Sequence, residues 1–392
     1  MFKLYFARPA YATILSLAAL LLMWGVPARA ASDVSNNSTL SNQAVASVVA
    51  SVASSQTATI ISSAATGGFT GSGGFSGSGG FNSGGSGGFG GGGGNGGFGG
   101  GGSSGGTGGN GGTDGNGAKL NMNDLPPAIS GRAGGTEDSP NGVWMQALWA
   151  GINRNEADLA MRGNVYNALG GVDHLFDGMY RVGLAMGYER VRLHTMYNQG
   201  TYNSDGFSLS PYGAITLSPT WTVDATAGYT FMHYHTAQQS DLEQSTFDGG
   251  RFLAASNLTG TFSADAWKFQ PKVGISYSRE IQDAHHDNTG AAIDSNAFAI
   301  GSLLSGAKIG YLFDNGILPY TKVMGQWDFL RPDAVMKANG QMSDHDAGGV
   351  VAGLGVEVYR DDIVGSLEVD NNSLLRQHTD VWAVIGRFRV DF

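Results

Sequence analysis

The residues able to do chemistry in this sequence are eight histidines and a set of charges that recur at regular intervals. His233 and His235 sit two apart, so on a strand they share a face, while His285-His286-Asp287 and His345-Asp346 fall between periodic segments. Histidines at that spacing can hold a metal if loops bring further ligands. Histidine is equally an ordinary polar loop residue, and the spacing alone assigns no metal or cofactor. His174, His194, serines and aspartates supply the parts of a hydrolase, but no G-x-S-x-G or comparable nucleophile arrangement accompanies them, so no catalytic residue is assigned. Without cysteine there is no disulfide framework and no thiolate site. A formal net charge of −10 and the lack of any Lys/Arg cluster argue against a nucleic-acid partner.

The spaced charges are more informative. Arg181, Glu189, Asp224, Lys268, Lys272, Lys308, Glu357, Arg387 and Arg389 all lie in runs where apolar residues take the other parity. "WTVDATAGYTF" puts Trp221, Val223, Ala225, Ala227, Tyr229 and Phe231 on one face and Thr222, Asp224, Thr226, Gly228 and Thr230 on the other. "WKFQPKVGISY", "YRVGLAMGYER", "VVAGLGVEVY" and "VWAVIGRFRVDF" repeat the device, with Ile385 the one exception in the last. Period-two alternation is the mark of a strand with one apolar and one wet side.

Aromatic rings bound the apolar faces: Tyr180, Tyr188, Trp221, Tyr229, Trp267, Tyr277, Trp382 and Phe392. A soluble sandwich has no reason to place rings at both ends of its buried face, whereas amphipathic rings settle at a membrane–water interface. The polar faces mix small residues with charges, as a hydrated lumen would. Lipid offers backbone groups no partner, so such strands must close. The fold class expected is an all-β, antiparallel transmembrane barrel of about twelve strands over residues 142–392. The strands begin near Val143, Gly163, Tyr180, Gly206, Trp221, Phe252, Trp267, Gly301, Leu318, Val350, Val364 and Val381. Phe392 then anchors a closing strand that pairs with the first. Pro211, Pro271 and Pro319 lack a ladder donor and are expected near strand ends.

Three other segments precede the barrel. Residues 1–30 carry Lys3 and Arg8, an apolar run and Ala28-Arg29-Ala30, which reads as a signal peptide that takes the chain through the Sec translocon and is cleaved between Ala30 and Ala31. Residues 31–66 are rich in Ser, Ala and Val, and Val45, Val48, Val49, Val52, Ile60, Ile61 and Ala64 form a helical stripe, so a weak helix is expected. In residues 67–117 glycine fills 31 of 51 positions, which predicts a disordered linker or passenger punctuated by "GGF". Residues 118–141 are a connector in which Pro126-Pro127 forbids a helix.

The ordered stretches "GGVDHLFDGMYRVGLAMGYERVRLHT", "NSDGFSLSPYGAITL", "WTVDATAGYTF", "LPYTKV" and "GRFRVDF" resemble the autotransporter β-domain of Gram-negative outer membranes, over about two thirds of the chain. The resemblance implies a C-terminal twelve-stranded barrel in outer-membrane lipid that delivers an N-terminal passenger to the cell surface. It also implies that Val384, Phe388, Val390 and Phe392 carry the signal read by the barrel-assembly machinery. Family passengers are long β-helices, and no such repeat is present here. Family members also hold a helix in the pore just before the first strand. Here the helix of residues 31–66 would have to play that part across the glycine tether, or an extended segment would. The function expected is anchoring and display of the short Gly-rich passenger. The alternatives are a plugged porin-like channel lined by the charges above and, on fold analogy alone, a barrel-embedded lipid-modifying enzyme. What the passenger touches is not written in the sequence.

Overall fold

Asp177 and Gly178 join two alternating runs, and both take positive φ (53° and 61°) while the Met179 N–H donates to the Phe176 carbonyl at 3.0 Å. That is the primed turn whose twist matches the strands it connects. In this computed structural model, hairpins of this kind build a closed barrel. The structure describes residues 140–156, 159–238, 242–331, 347–360 and 362–392, together with Thr57, Ile61, Ala64 and Ala65. The signal peptide, the glycine-rich segment and residues 118–139 of the connector lie outside the described residues, as do Val45, Val48, Val49, Val52 and Ile60.

The strands are β1 (Asn141–Arg154), β2 (Met161–Phe176), β3 (Tyr180–Thr195), β4 (Gly200–Ser218), β5 (Trp221–Gln238), β6 (Glu243–Gly260), β7 (Phe262–Ala264), β8 (Trp267–Gln282), β9 (His285–His286), β10 (Ala292–Ile293), β11 (Asn296–Tyr311), β12 (Ile317–Leu330), β13 (Gly348–Arg360), β14 (Ile363–Leu374) and β15 (Thr379–Asp391). Each long strand pairs antiparallel with its sequence neighbour, β8 pairs with β11, and β15 pairs with β1 to close the ring. The ring has twelve strands. β7 is an extra strand beside β8, and β9–β10 is a separate hairpin. The Phe392 and Asn141 backbones exchange hydrogen bonds of 2.9 and 3.0 Å, so the closing strand is paired to its last residue.

Short turns sit at the end that holds Asn141 and Phe392, including 177–179, 219–220 and 361–362; the other end carries the longer connections 283–295 and 331–347. Short turns face the periplasm in such barrels, so Asn141 and Phe392 mark the periplasmic mouth. The outward face is apolar and exposed: Val182, Leu184, Met186, Phe231, Leu354 and Leu367 all stand out from it.

Two sequence expectations need adjusting. β4 starts at Gly200 and β6 at Glu243, well ahead of Gly206 and Phe252. Their outer turns rise beyond the roughly 10 residues a bilayer requires, where the outward face is wet while the inward face still buries Tyr202 and Phe247, so the apolar parity no longer marks lipid. Pro211 is not near an end but deep inside β4, opposite Leu184 of β3. Pairing with β5 skips Ser210 and Pro211, and the Thr226 hydroxyl donates to the Pro211 carbonyl at 3.1 Å. The hydroxyl gives the Pro211 carbonyl a cross-strand donor at a step where the proline itself has no N–H to contribute. Pro271 and Pro319 do lie near strand starts.

Candidate functional site

The lumen is where inward parity gathers chemistry. Arg181, Glu189, Asp224, Lys268, Lys272, Lys308, Glu357, Arg387 and Arg389 are all buried there. Burying ions is costly unless partners satisfy them, and three ionic groups take in six of the nine, Arg181, Glu189, Lys308, Glu357, Arg387 and Arg389.

At the periplasmic mouth, Arg389 Nη1 and Nη2 donate to the two oxygens of Asp173 at 2.9 and 2.7 Å, and its Nε donates to Asp391 at 2.8 Å. Arg181 binds the same Asp173 carboxylate. The Tyr212 hydroxyl donates to it at 2.7 Å and accepts from Trp144 Nε1 at 2.7 Å. Higher in the barrel, Arg251 joins Glu189 (3.0 Å) to Glu280 (2.8 Å), and Glu280 accepts from Tyr234 at 2.8 Å. On the far wall, Lys322 binds Glu368 (2.7 Å) and Asp370 (2.8 Å). Arg387 joins Glu368 (3.2 Å) to Gln146 (2.8 Å), and Lys308 pairs with Glu357 at 2.8 Å. Asp224 accepts from Asn257 at 2.8 Å, and Lys268 donates to Ser263 at 3.0 Å.

Sequence reading missed Asp173, Arg251, Glu280, Lys322, Glu368 and Asp370 as members of these groups. Asp173 and Lys322 sit on the polar parity of their strands and were available to it. Arg251 was not, because its inward neighbours Phe247 and Leu253 are apolar and hide the alternation of β6.

Toward the outer end the lumen wall turns apolar on the β1–β3, β11 and β15 side, while Arg376 and Asp328 form an ion pair on the β12 side. Leu148, Ile152, Met161, Val165, Val191, Leu193, Phe298, Ile300, Val381 and Ile385 form one buried cluster on the inward face. That is not the lining of a water-filled channel. The tyrosines of the "PY" pairs cover glycines directly across the ladder: Tyr212 faces Gly183, and Tyr320 faces Gly355. A Cβ on either glycine would collide with the ring.

A helix occupies the periplasmic half of this space. Thr57, Ile61, Ala64 and Ala65 are helical and buried, at the i, i+4, i+7, i+8 spacing of one helical face. Ile61, Ala64 and Ala65 pack with Trp144, Leu169, Ala185, Tyr212 and Ala214. Asn167 Nδ2 donates to the Thr57 hydroxyl at 3.4 Å, and Arg389 Nη1 lies 3.5 Å from the Ala64 carbonyl. Arg389 is at the mouth and Asn167 is opposite Leu148 at mid-strand, so the helix runs outward from Ala65 to Thr57. Its carbonyls, the negative end of the helix dipole, point toward the arginines of the mouth.

The other expected positions fall as follows. Tyr180, Tyr188, Tyr229, Trp267 and Trp382 are exposed on the outer face, with Trp221 and Tyr277 partly so. Val384, Phe388, Val390 and Phe392 share the outward parity of β15. Ala30 and Ala31 lie outside the described residues. Among the described residues the histidines do not converge: His233 contacts Asp248 at 2.7 Å, His235 contacts Thr246 at 3.1 Å, and His285 stacks on Phe247. His345 lies outside the described residues.

The family model of the autotransporter beta-domain matches residues 143–365. The chain belongs to that family. It is an outer-membrane autotransporter barrel of Gram-negative type, a class assembled by the outer-membrane biogenesis machinery. Among solved structures, the translocator domain of the autotransporter NalP from Neisseria meningitidis matches with TM-score 0.55 and 12% identity, over 64% of this chain and 89% of that one. The transport unit of the autotransporter AIDA-I from Escherichia coli gives 0.52 and 13%, over 64% and 90%. The beta domain of the Bordetella autotransporter Brka gives 0.50 and 16%, over 64% and 100%. At these identities the likeness is one of fold. No curated protein matches the chain.

Proposed function

We propose that this autotransporter barrel anchors in the outer membrane and holds its own N-terminal segment in the lumen, so that the residues ahead of Thr57 are displayed at the cell surface. The observation that carries this reading is the direction of the luminal helix, with Ala64 beside Arg389 at the periplasmic mouth and Thr57 beside Asn167 further out. The chain before Thr57 therefore heads for the outer end. The stretch between Ala65 and Pro140 begins and ends at the same periplasmic mouth. The displayed part is thus residues 31–56, and the glycine-rich stretch is the tether that returns the chain from the helix to β1. This order, helix then tether then barrel, explains why the Pro126-Pro127 connector need not be helical.

Paired charges, an apolar upper wall and a helix together support a closed lumen over a solute channel. Planar-bilayer recording tests this. The full chain should show no steady conductance, and the chain lacking residues 31–66 should conduct. Equal steady conductance from both would favour the pore reading.

A further inference from the structure

Beyond the upper aromatic positions, the outer wall of β2 and β3 changes character. Tyr166 and Tyr188 stand on the outward face, and two to six residues further toward the outer end the same faces carry Arg162 on β2 and Arg190, Arg192 and His194 on β3. These positions are neighbours across the ladder: Arg162 lies opposite His194, Asn164 opposite Arg192 and Tyr166 opposite Arg190. One acid on the adjoining strand serves two of the arginines. Asp205 of β4 accepts from Arg190 Nε at 2.8 Å, from Arg192 Nη2 at 3.2 Å and from the Tyr188 hydroxyl at 2.5 Å. The side chains of Arg190 and Arg192 remain 49% and 40% exposed, and no ion pair among the described residues involves Arg162.

The patch is therefore cationic in excess, held in orientation by Asp205, and turned away from the lumen at the height where rings give way to headgroups. At the periplasmic end the same two outward faces carry Val172, Phe176, Tyr180 and Val182 with no arginine, so the asymmetry is one of leaflet. Guanidinium groups bind phosphate through paired N–H bonds, and basic residues beside a bilayer recognise anionic headgroups.

We infer that the outward face of β2 and β3 is a binding site for the phosphate groups of an anionic lipid in the outer leaflet, with Arg162, Arg190 and Arg192 as its ligands and Asp205 as their positioning residue. The lipid is held from the side, as a bound annular molecule, and leaves the lumen untouched.

The test titrates the folded full chain in phosphatidylcholine nanodiscs with bisphosphorylated lipid A, with the same glycolipid stripped of phosphate, and with inorganic phosphate. The expected result is saturable binding of the bisphosphorylated form only. In the R162Q/R190Q/R192Q variant it should weaken about a hundredfold, from roughly fivefold for each of the three charges removed near a membrane surface. Equal binding of the dephosphorylated glycolipid, or an unchanged affinity in the variant, would overturn the proposal. Equal affinity for inorganic phosphate would also overturn it, by making the patch an anion site with no lipid preference. Should the triple variant fail to fold, Arg162→Gln alone, which breaks no described ion pair, must still weaken binding several-fold.

Discussion

Arg389 reaches from β15 across Gly142 of β1 to grip Asp173 of β2 with two hydrogen bonds, spanning the seam where the barrel closes. The reach requires glycine beneath it, because a Cβ on Gly142 would meet the guanidinium and lie 2.7 Å from the Asp173 carboxylate. The last strand is thus locked to β2 through the lumen as well as to β1 by its backbone ladder.

Arg389→Gln should lower the stability of the folded barrel by about 3 kcal/mol, the low end for breaking a buried ion pair, because Asp391 loses this partner while Arg181 still binds Asp173. Urea unfolding followed by tryptophan fluorescence and by heat-modifiable gel mobility reads it. A change under about 0.5 kcal/mol would mean that the seam is held by the ladder alone.

Among the glycines, Gly355 and Gly386 should behave oppositely. Gly355→Ala places a Cβ against the Tyr320 ring and should cost roughly 1–3 kcal/mol. Gly386 has nothing within 4 Å of its missing Cβ, so Gly386→Ala should be neutral or stabilise by about 0.5 kcal/mol. The same unfolding measurement compares them.

Thr226→Val keeps the shape of the side chain and removes the hydroxyl that bonds the Pro211 carbonyl. A loss of about 1 kcal/mol is expected, and Thr226→Ser should recover most of it.

Ile61→Asp puts a charge into the cluster of Trp144, Leu169 and Tyr212, where the luminal helix is seated. An unpaired buried charge drives the group out. Current through the full chain in a planar bilayer should therefore rise from baseline to frequent openings, while a substitution on the outer face such as Leu354→Ala leaves it closed.

How far the sequence revealed this depended on what each residue faces. Where one side is lipid and the other is the ionic lumen, as at Trp221 to Phe231, alternation located the strand. Ahead of Gly206 and Phe252 the outward face no longer meets lipid, and inward Ser204 and Ser245 alternate with buried Tyr202 and Phe247, so the signal vanished. On β6 the inward Phe247 and Leu253 concealed Arg251, so the Glu189–Arg251–Glu280 group was invisible. Serine and β-branched residues made the helix around Ile61 look weak, because its stability comes from the wall that it packs against and not from propensity. The outward arginines of β3 were overlooked because Arg190 breaks the apolar face of its strand above Tyr188, a position already outside the hydrocarbon layer.

The account turns on which part of the chain crosses to the surface, and differential tag exposure tests that most directly. One epitope is placed after Ser38, ahead of the luminal helix, and another after Gly117, and intact cells are probed with antibody and protease. The account predicts that the Ser38 tag is labelled and cleaved while the Gly117 tag is silent until the outer membrane is opened. Labelling of the Gly117 tag on intact cells, or protection of the Ser38 tag, would contradict it.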